Sequence, residues 1–136
     1  MYKKILVPMA LDHGISQHTL QVARALSADG AEIVALHVYE MPQGSVSAYL
    51  DKDTVAEGFR AAGNLLREKV SGLDGIKPEI TRGHTARTII DYANDNDVDC
   101  IVIGSHKPGL SDYFLGSTAS RVVRHAGCAV HVHRRV

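Results

Sequence analysis

The residues best placed to do chemistry lie in one stretch: Gly104-Ser105-His106-Lys107-Pro108-Gly109-Leu110-Ser111-Asp112-Tyr113-Phe114-Leu115-Gly116-Ser117-Thr118. Gly104 has no side chain, so a ligand can approach its backbone closely and angles closed to other residues are open to it. Ser105 and Ser111 carry hydroxyl donors. His106 and Lys107 carry donors suited to phosphate oxygens, and Gly109 is a further small residue in the same loop. Gly116-Ser117-Thr118 open a helix whose first amides have no intrahelical partner and whose dipole is positive at that end. Together they form a phosphate-binding turn. Taken singly, Gly104 and Gly116 would be turn residues and Ser117 a cap. The stretch is not a Walker A motif, since Gly-Lys-Ser/Thr is missing, and no GxGxxG fingerprint follows the first strand.

The elements that must hold this turn alternate along the chain. Lys4 to Met9 is a continuous apolar run, as expected of a strand covered on both faces, and Pro8 marks its end. Helical spacing runs from Ser16 to Ala28, with Leu20, Ala23 and either Ala25 or Leu26 inward and Asp29-Gly30 closing it. Glu32 to Tyr39 is a strand, and Met41 to Thr54 a long loop of the kind that often forms functional lids. Val55 to Val70 is a helix with Phe59, Ala62, Leu66 and Val70 on its apolar face. Gly72 and Gly75 break it. Lys77 to Arg82 is a short, weak strand ending at Gly83. Thr85 caps a helix to Asn94, with Ile89, Ile90 and Ala93 inward. Asp99 to Gly104 is a buried strand, Ser117 to His125 a helix, and Cys128 to Val132 the last strand. Such β-α alternation predicts a parallel sheet with right-handed crossovers and helices on both faces. Ligands of open sheets sit beyond the strand ends, so Val7, Val38 and Ile103 each point to a place for one.

Composition narrows the function. The 136 residues suit one domain, residues 1–136. Lys plus Arg and Asp plus Glu each number 15, so no basic excess favours nucleic acid or an acidic membrane. No run approaches a membrane span, and the opening Met1-Tyr2-Lys3-Lys4 is not followed by a signal-peptide core. The two cysteines, Cys100 and Cys128, sit in apolar runs and are expected to be buried thiols of a cytoplasmic protein.

The pattern as a whole resembles the universal stress protein family. The likeness runs from KKILVPM through ALHVYE and RGHTARTIIDYA to DCIVIGSHKPGLSDYFLGSTASRVVRHAGCAVHVHR, and its last third is the specific part. The resemblance implies a three-layer α/β sandwich around a five-stranded parallel sheet of order 3-2-1-4-5. It also implies ATP with Mg or Mn as ligand, a regulatory role without enzymatic activity that is exerted through an unidentified protein partner, and a homodimer through residues 128–134. The family's nucleotide-binding branch carries Gly, two residues, Gly, nine residues, Gly, then Ser or Thr. This chain has Lys107 at the second glycine and is one residue shorter before Gly116, as in a Ser-His-Arg-Pro variant that also binds nucleotide. A lysine there can replace backbone amides with a point charge. The family's Asp two residues beyond the first-strand proline is Ala10 in this chain, with Asp12 two residues on. The resemblance places Pro8, Ala10, Asp12 and Val38 near the nucleoside, with the base extending toward Gly83. Phosphates fall to Gly104, Ser105, His106, Lys107, Gly116, Ser117 and Thr118.

Two other functions compete: a dimeric interaction module without nucleotide, and a very slow ATPase or phosphotransferase using Asp112. Three further groups stand out. His131 and His133 share one strand face, where His-x-His can bind zinc or copper or gather across a dimer axis. His84, Arg87 and Asp91 have helical spacing suited to a surface ion network. Arg121, Arg124 and His125 form a basic stripe, expected to be a solvated face.

Overall fold

The computed structural model describes residues 1–11, 17–40, 51–105 and 115–134. Its strands are β1 (Tyr2–Pro8), β2 (Ser27–Tyr39), β3 (Ile76–Arg82), β4 (Cys100–Gly104) and β5 (Ala129–His133). Its helices are α1 (Gln17–Leu26), α2 (Lys52–Val70), α3 (Thr85–Asp95) and α4 (Ser117–His125). All strand pairs are parallel, in the order β3-β2-β1-β4-β5, as the resemblance implied.

Alternation of strand residues explains the layers. Ile5 and Val7 of β1, Ile33 and Ala35 of β2, and Cys100 and Val102 of β4 pack on one face with Leu20 and Ala23 of α1 and Leu66 and Val70 of α2. Their neighbours Leu6, Val34, Leu36, Ile101 and Ile103 pack on the other face. There they meet Ile89 and Ala93 of α3 and Ala119 and Val122 of α4. Each central strand is therefore apolar on both sides, which is why it reads as a continuous run.

Several boundaries differ from the sequence expectations. The first helix stops at Leu26, and Asp29-Gly30 does not close it. Ser27 already pairs with Tyr2, and the ladder resumes only at Lys4 and Glu32, so residues 28–31 bulge from β2 with Gly30 at φ 75°. Ala25 is exposed, and Leu26 is the residue that packs inward. The second helix starts at Lys52, because the Asp51 side chain accepts the Asp53 amide as an N-cap. The third strand is not weak: it pairs with β2 from Ile76 to Arg82 without a break. The third helix is capped at His84 rather than Thr85, with no side-chain cap bond. The last strand begins at Ala129, leaving Cys128 outside it.

Candidate functional site

The site is built where β1 and β4 run side by side. From β1 the chain crosses to one face through α1, and from β4 to the other through α4, leaving a crevice at the strand ends. Ser105 ties the β4 side together. Its amide donates to the His133 carbonyl at 3.0 Å, and its carbonyl accepts the Gly116 amide at 2.6 Å. The end of β4, the end of β5 and the start of α4 thus meet at one residue.

The Gly116 amide is consumed by this bond. The first intrahelical bond of α4 runs from the Ser120 amide to the Gly116 carbonyl at 2.8 Å. The amides of Ser117, Thr118 and Ala119 therefore lead the helix, in the position that attracts anions. Ser117 is exposed and Thr118 half-buried. Gly116 is the N-cap residue and provides no side chain to cover these amides.

Gly104 is exposed, and a Cβ built on it would meet no described atom within 4 Å. Its φ is not in the left-handed region, where Gly30, Gly75 and Gly83 lie. So glycine at 104 leaves open surface for a ligand, and special backbone angles are not its reason. Ser105 stands next to it. It is buried, and its backbone makes the bonds that join β4, β5 and α4.

On the β1 side, Pro8 ends the strand, pairs with Leu36 and is half-buried. The Met9 amide extends the ladder to the Leu36 carbonyl at 2.8 Å, and Ala10 is exposed beyond it. Val38 is a buried core residue. Gly83 caps β3, donating its amide to the Tyr39 carbonyl at 3.3 Å. Asp12, His106, Lys107, Gly109, Ser111 and Asp112 lie outside the described residues, as does the expected loop over 41–50.

Sequence reading missed two histidines at this end of the sheet. His37 Nδ1 donates to the Met9 carbonyl at 2.8 Å and so fixes how β1 leaves the sheet. His18, in the first turn of α1, places its ring 4.8 Å from that of His133. Burial, with His18 and His131 nearby, holds His133 below the ordinary imidazole value, so it favours the neutral form. No motif marks either residue, because each acts through strand and helix packing.

The other candidates resolve differently. His84 turns toward α4 and not to Arg87 and Asp91: its Nε2 accepts from Arg121 Nη1 at 3.0 Å. Arg121, Arg124 and His125 are exposed, as a solvated face should be. Both cysteines are free. Burial pushes the Cys100 thiol up to about 11 and also raises Cys128, so neither is an activated nucleophile. Among the described residues no cluster of three or more His, Cys, Asp or Glu could hold a metal ion. Among them, too, no helix is long and apolar enough to cross a membrane.

The family model for the universal stress protein family matches residues 1–134. The chain belongs to the universal stress protein family. It is 30% identical over 146 residues to a universal stress protein of Methanothermobacter thermautotrophicus, covering 100% of this chain and 98% of that one. The structure of universal stress protein UspA from Lactobacillus plantarum is similar with a TM-score of 0.71 and 28% identity, covering 98% of each chain. A family structure from Arabidopsis thaliana with AMP bound superposes with a TM-score of 0.64 at 19% identity, covering 98% of this chain and 92% of that one. These likenesses support the five-stranded family fold for this chain.

Proposed function

We propose that this universal stress protein binds ATP in the crevice between the ends of β1 and β4 and acts as a regulator through a protein partner. The observation that carries the proposal is the Ser105 junction, which sets the open backbone at Gly104 beside the leading amides of α4. Those amides suit phosphate oxygens without any cationic side chain. Lys107, His106 and Gly109 are assigned to the phosphates as well, and Pro8, Ala10, Asp12 and Val38 to the nucleoside side. Mg or Mn would accompany the nucleotide, bound to its phosphate oxygens. The fold relative from Arabidopsis thaliana holds AMP, which is in keeping with an adenine nucleotide, although at 19% identity it speaks for the fold alone.

The test is calorimetry with Mg-ATP, with adenosine alongside. Heat of binding is expected for ATP, and Lys107→Ala should weaken ATP more than adenosine. No heat and no thermal shift at millimolar ATP would end this reading. It would leave the second one, a dimeric interaction module without nucleotide, which the Ala10 position favours. No residue is assigned a catalytic role.

A further inference from the structure

The opposite edge of the sheet carries a groove between α2 and β3, with a volume of about 340 Å³. Ala56, Phe59, Gly63 and Ile80 form its floor, and Arg60, Arg67 and Arg82 stand around it. All three arginines are exposed. The ion pairs Lys4–Glu32 and Lys77–Glu79 lie elsewhere, and none among the described residues involves these arginines. The chain as a whole has zero formal charge, so three guanidinium groups on one groove are a local concentration.

The groove is partly set in advance. A Cβ on Gly63 would lie 3.3 Å from both Nη1 and Nη2 of Arg67 and 3.5 Å from Ile80 Cγ2. Glycine inside a helix is unfavourable, and at this position it opens the floor so that the Arg67 guanidinium can lie across it. Arg67 Nη2 is also held by Asn64 Oδ1 at 2.6 Å. Arg82 stands 4.5 Å over the Phe59 ring, which Tyr39 meets edge-on at 6.0 Å. Cations fixed before binding lose less freedom on binding.

The spacing suggests what fits. Arg60 and Arg67 are seven residues apart on α2, roughly 10 Å along the helix axis. In an extended peptide, residues four apart face the same side and stand about 13 Å apart, with the residue midway between them facing that side too. Arginine side chains can fan out over the difference. Pro78 in β3 blunts this edge strand against strand addition, so side chains would hold the peptide. We propose that the α2–β3 groove docks an extended acidic segment of a partner protein, with two carboxylates four residues apart and an apolar side chain between them.

The test is fluorescence anisotropy of the whole chain with a labelled peptide, Glu-Ser-Leu-Ser-Glu, blocked at both ends. Saturable binding is expected at low salt, about fivefold weaker at physiological salt. The double change Arg60→Gln and Arg67→Gln should weaken binding about tenfold, and the peptide with Gln for Glu should not bind. Gly63→Ala should displace the Arg67 guanidinium and weaken binding about threefold without lowering the thermal midpoint. Arg124→Gln, on α4, should change nothing. The proposal is overturned if the peptide fails to bind at low salt or binds the double variant equally well. It is also overturned if pyrophosphate binds through the same arginines while the peptide does not, which would make the groove a small-anion site.

Discussion

The Ser105 carbonyl and the Gly116 amide are joined at 2.6 Å, across a chain separation of eleven residues that includes most of the phosphate turn. This bond sets where α4 begins relative to the end of β4. Gly116 has φ −58°, an angle proline accepts, but the ring of Gly116→Pro would replace the amide hydrogen with a carbon that strikes the Ser105 carbonyl, so the two ends must separate. It is expected to cost about 3 kcal/mol in urea denaturation and to weaken Mg-ATP binding in calorimetry. Full stability and full binding together would show that the bond does not position the helix.

Gly83 stands at φ 143°, and a Cβ there would come 2.5 Å from Thr88 Oγ1. Gly83→Ala is therefore expected to destabilise the protein by about 2–3 kcal/mol. Gly72 has open space around it and no positive φ, so Gly72→Ala should stay within about 0.5 kcal/mol. Thermal melting of the two variants decides the matter, and equal midpoints would refute the distinction.

Asp99 reaches across the sheet to accept the amides of Lys3 at 2.8 Å and Lys4 at 3.0 Å. Burial pushes its carboxyl up, but these amides, its own amide and the Lys3 charge outweigh that and hold it below the ordinary 3.8. A lowered folded value means the unfolded chain takes up the proton first. The stabilisation is thus complete above the ordinary value and is lost as pH falls through the folded one. Asp99→Asn should be less stable at neutral pH by about 1 kcal/mol, since water competes for these amides. The gap from the parent should shrink in acid. Urea midpoints measured from pH 7 to pH 2.5 check this, and a constant gap would contradict it.

β5 is an edge strand with Ala129 and His131 exposed, and we propose that the homodimer forms through it, over residues 128–134. His131 and His133 would then meet their copies, with His18 and Arg134 close by. Protonation would place like charges together, so the dimer should persist at pH 8 and weaken at pH 5.5. Light scattering reads the molar mass at both values. A dimer that holds unchanged at pH 5.5 rules out the histidine dependence.

Much of the fold was legible because the central strands are apolar on both faces and Gly116-Ser117-Thr118 marks the start of α4. Ser117–His125 was bounded correctly, and Pro8 marked the end of β1. Asp29-Gly30 misled because the same dipeptide can close a helix or turn a bulge, and only the Tyr2–Ser27 pairing distinguishes them. Thr85 looked like a cap because threonine suits that role, yet helical angles begin there and His84 holds the cap position. Of the site, the glycines and the α4 start were readable as a motif. The role of Ser105 was not, because hydrogen bonds to His133 and Gly116 arise only when β5 is in place. The arginine groove left no local signal either, since Arg82 comes from another element and joins Arg60 and Arg67 only through packing.

The pairing of β1 with β4 has a wider consequence. It is registered at Ile5–Cys100 and Leu6–Ile101, with Asp99 clasping the same strand from below. Divide the sheet along that seam and each half is a continuous piece of chain: β1 to β3 on one side, β4 and β5 on the other. Pro8 ends one bank and Gly104 the other. A molecule gripping both would act as a rivet, so occupancy and resistance to unfolding would rise together, by about 2.7 kcal/mol at a hundredfold excess over its dissociation constant.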